Sequence, residues 1–150
     1  MARKISLNSA YGAIGNQYFR YYDKAIAEGI TKSGQLSIRW IENRLNKYLN
    51  NILKTDDDYV IASDTDSVYL TLDKLVTETI KSDNALSKTI NFLDKVASES
   101  IEPYITKSYD ELKQYTNAFA NKMFMKREVI ADKGIWVAKK RYILNVWNSE

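Results

Sequence analysis

Two aspartates one residue apart, Asp64 and Asp66, lie in the polar stretch Ser63-Asp64-Thr65-Asp66-Ser67, between two apolar runs. Carboxylate oxygens are hard ligands suited to magnesium, and two close anions without a cation repel and raise one pKa. Aspartate is also a common turn residue, because its side chain can bond its own backbone. The pair therefore reads either as the plain tip of a turn or as a holder of hard divalent cations. A second chemical group is Lys4, Asn8, Tyr11, Gly12 and Gly15, whose spacings put all five on one side of a helix. A core-facing stripe would be aliphatic; this face carries a cation, an amide, a phenol and two bare positions. Each glycine costs a helix roughly 1 kcal/mol relative to alanine. Either another helix packs closely there or a bulky group lies against the face. A third group, Lys139-Lys140-Arg141-Tyr142, is basic on both faces of an extended strand and by itself reads as edge lysines guarding an unpaired strand.

Composition narrows the chemistry. The 150-residue chain has no cysteine and no histidine. Disulfides, thiolate or imidazole metal ligands and a Ser-His-Asp triad are excluded, leaving carboxylates, lysine, arginine, tyrosine, serine and bound metal. The length suits one domain or a piece of one. Net charge is only +3, so the placement of charge says more about nucleic acid than its sum. No apolar run approaches the roughly 18 residues of a membrane span, and a soluble, intracellular protein is expected.

The elements that must position these groups follow from periodicity. Residues 3–15 read as a helix, and 17–22, with Tyr18, Phe19, Tyr21 and Tyr22 around Arg20, as a strand or irregular connector. Residues 23–53 read as a scaffold helix with Asp23 as N-cap; Ile41, Leu45 and Leu49 recur at helical spacing, and Gly29 and Gly34 weaken its continuity. A loop at 54–58 leads into the aspartate hairpin, with strands at 59–61 and 68–72. Residues 74–81 suit a short helix and Ser82-Asp83-Asn84 a turn. A second long helical pattern runs over 86–119, with a kink or break expected at Pro103. The last thirty residues read as a second hairpin: one strand within 122–131, a turn at Asp132-Lys133-Gly134, and a return strand over 135–147. The fold class is α+β, an antiparallel sheet from two hairpins packed on two long helices, with a helical remnant at the amino end.

Three motifs in fixed order carry a resemblance. Lys4-x-x-x-Asn8-Ser9-x-Tyr11-Gly12 resembles motif B of the family B DNA polymerases, Asp64-Thr65-Asp66-Ser67 their motif C, and Lys139-Lys140-Arg141-Tyr142 the K-K-R-Y motif that follows it. Phe19-Arg20-Tyr21-Tyr22-Asp23 resembles most closely the replicative polymerases of tailed bacteriophages. The resemblance implies a fingers remnant over 1–22 and a palm region over 23–150. It implies that Lys4 neutralises an incoming triphosphate, assisted by Asn8, and that Tyr11 lies by the nascent base pair with Gly12 leaving room. Asp66 would be the principal magnesium ligand and Asp64 the adjacent, supporting acid, both in the catalytic site. Glu128 would be a palm carboxylate near the metals. Lys139, Lys140, Arg141 and Tyr142 would hold the primer strand. The chain departs from the family in having Ala62-Ser63 where Tyr-Gly is common, Lys126 where phage relatives usually carry an acid, and a short stretch between Glu128 and Lys139.

Motif A, which precedes motif B in the family and supplies the other principal metal-binding aspartate, is not found before Lys4. The expected function is part of a DNA-directed DNA polymerase, transferring nucleotides to a primer 3′-hydroxyl by a two-metal mechanism, inactive and weak in magnesium binding by itself. Expected partners are primer–template DNA, deoxynucleoside triphosphates and a polymerase portion carrying motif A, the exonuclease and the thumb. The expected location is the cytoplasm of an infected bacterial host. The alternative is a non-catalytic DNA-binding or structural module derived from a palm, gripping phosphates through Lys4, Lys139, Lys140 and Arg141.

Overall fold

The computed structural model describes residues 2–79, 86–138 and 140–149, the side chains of 2–4, 7 and 8 excepted. The described elements are α1 (Ala2–Ile14), α2 (Lys24–Leu53), β1 (Val60–Asp64), β2 (Ser67–Leu70), α3 (Asp73–Thr79), α4 (Leu86–Val96), a π-helical turn (Ala97–Ile101), α5 (Glu102–Thr116), β3 (Val129–Ala138) and β4 (Arg141–Ser149). The class is α+β. Residues 1–37 and 38–150 form two compact units, so α2 gives its first half to one and its second half to the other.

In the first unit, residues 15–23 form an irregular, turn-rich connector rather than a strand. Asp23 caps α2 as expected, its Oδ1 accepting the Ile26 N–H at 3.0 Å. Gly29 and Gly34 do not interrupt α2. A Cβ at either would meet nothing within 4 Å, so both sit on open faces of a helix held by packing elsewhere.

The core of the second unit is a seam between the carboxyl half of α2 and α5. Ile41 and Leu45 of α2 lie fully buried against Ile101, Ile105, Tyr109 and Leu112. Two polar links fix the register of the helices: Trp40 Nε1–H donates to the Ser108 carbonyl at 2.9 Å and the Tyr104 hydroxyl to the Arg44 carbonyl at 3.2 Å. Tyr48 stacks on Tyr104 with centroids 4.1 Å apart. The regular α-helix is broken just before Pro103, as expected: the π-helical turn separates α4 from α5, and Pro103 lies in the first turn of α5. Its ring would crowd the preceding turn of an α-helix, but the π-helical turn just before it widens the backbone, and the Glu102 N–H reaches back five residues to the Ala97 carbonyl. The stretch stops at Thr116, short of the expected 119, because Asn117 turns left-handed at φ 51° and closes the end.

The hairpin β1–β2 lays Val60, Val68 and Leu70 on this seam. Its strands reach further than expected, to Asp64 and Ser67, leaving only Thr65 and Asp66 in the turn. The expected turn at 82–84 lies outside the described residues.

The second hairpin differs from expectation. Lys133 and Gly134 sit inside β3, paired with Asn145 and Leu144, and the reversal comes between Ala138 and Arg141. Residues 121–128 are irregular rather than strand. Lys140 stands in the turn with φ 63° instead of sharing a strand face with Tyr142. Gly134 looked like turn chemistry but serves a different need: a Cβ there would lie 2.7 Å from Leu144 Cδ2 and from the Trp136 ring. The two hairpins remain separate two-stranded sheets among the described residues and do not merge into the single sheet expected.

These environments give glycine substitutions opposite signs. Gly134→Ala is expected to lose about 1–3 kcal/mol through overpacking, and Gly34→Ala to gain up to about 1 kcal/mol, both read from urea unfolding.

Candidate active site

The aspartate turn is held from below by one face of α2. Glu42, Asn46 and Asn50 recur every four residues beside the buried stripe of Ile41, Leu45 and Leu49. Asn46 Oδ1 accepts the N–H groups of Tyr59 at 2.9 Å and Val60 at 3.2 Å, and its Nδ2 donates to Asp58 Oδ1 at 2.7 Å. Asn50 Oδ1 accepts from Asp57 N–H and the Thr55 hydroxyl, both at 2.9 Å, while its Nδ2 donates to the Asp57 carbonyl at 2.9 Å. Higher up, the Ser63 hydroxyl donates to Glu42. Three side chains one turn apart thus set the height and start of β1, and with it Asp64.

At the tip, Thr65 has φ 43° while Asp66 does not. A left-handed first turn residue normally calls for glycine, and a β-branched residue there is strained by about 1–3 kcal/mol. Asp64 is engaged on both oxygens: Oδ1 accepts the Thr65 hydroxyl at 3.0 Å, and Oδ2 lies 3.9 Å from the Lys140 ammonium. Asp66 is exposed and its carboxylate has no side-chain partner among the described residues. The two hairpins meet through rings as well as charge. Tyr69 of β2 stands edge-on to Trp136 and to Tyr142, each with centroids 5.4 Å apart, and Trp136 stacks on Tyr142 at 6.2 Å. Burial, then the neighbouring Tyr142 hydroxyl, pushes the Tyr69 phenol above its ordinary pKa; the Ser67 hydroxyl pulls the other way.

The structure therefore brings Asp64, Asp66, Lys140 and Tyr142 to one place. Arg141 opens β4, exposed, and Lys139 lies outside the described residues. Glu128 does not join the two aspartates, for no group of three acidic side chains converges among the described residues. Its neighbour Arg127 makes guanidinium contacts to Asp94 at 2.7 Å and Asn148 at 2.9 Å, and its N–H donates to Glu102 at 2.9 Å. Glu128 is left exposed.

In the other unit, α1 carries Lys4, Asn8, Tyr11 and Gly12; the side chains of the first two lie outside the described set. The Thr31 hydroxyl donates to the Ala27 carbonyl at 3.0 Å, so the Tyr11 hydroxyl, 2.6 Å from Thr31 Oγ1, is the donor in that contact. The glycines divide between the two readings. Gly15 packs on Ala27, its would-be Cβ 3.6 Å from that methyl, while Gly12 faces open space.

A sequence profile for DNA polymerase family B matches residues 1–102. The chain belongs to DNA polymerase family B. Two curated relatives, each named DNA-directed DNA polymerase, come from Escherichia phage RB69 and Enterobacteria phage T4. The chain is 43% identical to the first over 158 residues and 42% to the second over 161, with 99% of its own length covered in each case. It spans 18% of the length of either relative. Within this family B chain, sequence reasoning missed Glu42, Asn46, Asn50, Tyr69 and Trp136. The four-residue spacing of the first three beside a buried stripe was the available signal; the ring contacts depend on a register that only the folded hairpin reveals.

Removing the clamp is expected to loosen the tip. Asn46→Ala deletes three hydrogen bonds, a loss of about 2–3 kcal/mol at about 1 kcal/mol each, and faster amide exchange in β1 should accompany it. Thr65→Gly relieves the left-handed strain and should raise stability by about 1 kcal/mol in the same unfolding measurement.

Proposed function

We propose that this chain supplies the motif B helix and the motif C hairpin of a template-directed DNA polymerase, with residues 1–22 as fingers and 23–150 as palm. One observation carries the reading: the Lys140 ammonium stands 3.9 Å from Asp64, so the second and third motifs of the sequence converge. The reaction joins the primer 3′-oxygen to the α-phosphorus of a deoxynucleoside triphosphate as the bond to the β-phosphate breaks and pyrophosphate leaves.

The donors on the turn fit magnesium. They are hard carboxylate oxygens, and the Asp66 carboxylate has no side-chain partner among the described residues. Asp66 would be the principal ligand and Asp64 the lesser one, because the latter already has a cation and a hydroxyl. When bound, the ions activate the attacking oxygen and neutralise the leaving pyrophosphate. Two carboxylates form a weak site, to which Glu128 would add a third in the assembled polymerase. Tyr142, Lys140, Arg141 and Lys139 present a ring and cations to the primer backbone. Lys4 and Asn8 would meet the triphosphate, while Tyr11, anchored through its hydroxyl to Thr31, offers a ring face beside the open Gly12. The partners of this reading are primer–template DNA, deoxynucleoside triphosphates and the polymerase portion bearing motif A, exonuclease and thumb, in the cytoplasm of an infected bacterium. No helix of the described residues is long and apolar enough to cross a membrane.

The test mixes the chain with a polypeptide supplying the remainder of a family B polymerase, motif A included, and follows extension of a labelled primer in magnesium. Extension is expected from the mixture and not from the chain alone. Asp66→Ala in the mixture should reduce it on the order of 10²–10³-fold, as losing one charge-stabilising group does. Undiminished extension with Asp66→Ala would sink the proposal.

A further inference from the structure

We infer that Lys140 is the resident counter-ion of Asp64 and competes with the divalent cation for that carboxylate, so that metal binding releases Lys140. The inference rests on the reading of Asp64 and Asp66 as metal ligands. Two aspartates share one turn, yet only Asp64 has a cationic partner: its Oδ2 faces Lys140 Nζ at 3.9 Å, while Asp66 has none among the described residues. The contact is loose, beyond hydrogen-bond distance, with the two side chains 67% and 33% exposed. Ion pairs of this kind are weak and easily exchanged. The link comes from a separate hairpin, on a turn residue held at φ 63° by its own backbone. The ammonium can therefore swing on its four-carbon stem without moving β1.

A divalent ion brings twice the charge to the same carboxylate, and the ammonium and the ion repel. Lys140 must then lower metal affinity, and metal must drive its ammonium off Asp64 and into solvent, where it is free to meet an anion. By reciprocity, whatever draws Lys140 away strengthens metal binding by the same factor.

Magnesium titration of the ¹⁵N-labelled chain tests this, reading the amide signals of Thr65 and Asp66 and the ε-methylene signal of Lys140. Lys140→Met should lower the half-saturating magnesium concentration about fivefold, the effect of one unit charge near 4 Å in a water-like dielectric. Lys140→Arg, which keeps the charge, should not lower it. In Asp64→Asn the difference between Lys140 and Met should vanish, and in the parent chain the Lys140 signal should move along with the turn amides. Lys140→Asn repeats the charge removal with a residue that tolerates the left-handed turn, in case Met disturbs it. Equal midpoints for the parent, Lys140→Met and Lys140→Asn, with Asp66→Asn weakening all, would overturn the inference and leave the metal reading standing. Turn amides that ignore magnesium in every variant, or a titration indifferent to both Asp64→Asn and Asp66→Asn, would overturn both.

Discussion

The candidate site depends on two amides. Asn46 and Asn50 project from one face of α2 and between them bond the backbone at Asp57, Tyr59 and Val60 together with the Asp58 and Thr55 side chains. An asparagine both donates and accepts, so one side chain can hold an N–H and a carboxylate at once. These bonds fix where β1 leaves the loop. A strand rises roughly 3.3 Å per residue, so the height of Asp64 follows from that anchor. The anchor is rigid because the neighbouring stripe of the same helix, Ile41, Leu45 and Leu49, is buried to 2% exposure or less.

The second hairpin is attached differently. Among the described residues no strand pairing joins it to the first; the links are the rings of Tyr69, Trp136 and Tyr142 and the charge contact from Lys140. Edge-on and stacked rings contribute about 0.5–1.5 kcal/mol per pair beyond their buried area, whereas an exposed ion pair contributes about 0–1 kcal/mol. The rings therefore do the holding, and the lysine is free to act as a charge. Gly134 is what lets Trp136 lie flat beside Leu144 and face Tyr69. The basic motif meets the acidic one through an aromatic contact in which Tyr142 belongs to the basic motif and Tyr69 and Trp136 belong to neither.

Much of this was legible in the sequence. The helix at α1, the cap at Asp23, the scaffold role of α2 and the aspartate hairpin follow from periodicity and turn chemistry, which are local. The misplaced second turn shows why the rest was not. Asp132-Lys133-Gly134 has turn composition, but its glycine answers to Trp136 and Leu144, residues nearby only after β3 and β4 pair. The Arg127 contacts to α4, α5 and β4 were equally hidden. Each is a long-range contact, and sequence periodicity does not contain that information.

The tip of the first hairpin is built against its own stability. Thr65 is left-handed where glycine would be relaxed, and the carboxylates of Asp64 and Asp66 flank it. Strain of this kind persists only when the surroundings over-determine it. Here the surroundings are the α2 clamp below and Lys140 beside it, and only the latter is charged and loose. Among the described residues Asp64 has a cationic neighbour and Asp66 has none. On the proposed reading, a divalent ion would add that cation with no rearrangement of β1, since what must move is a long exposed side chain. Its binding would then draw on a strained tip above a fixed base rather than on a change in the fold.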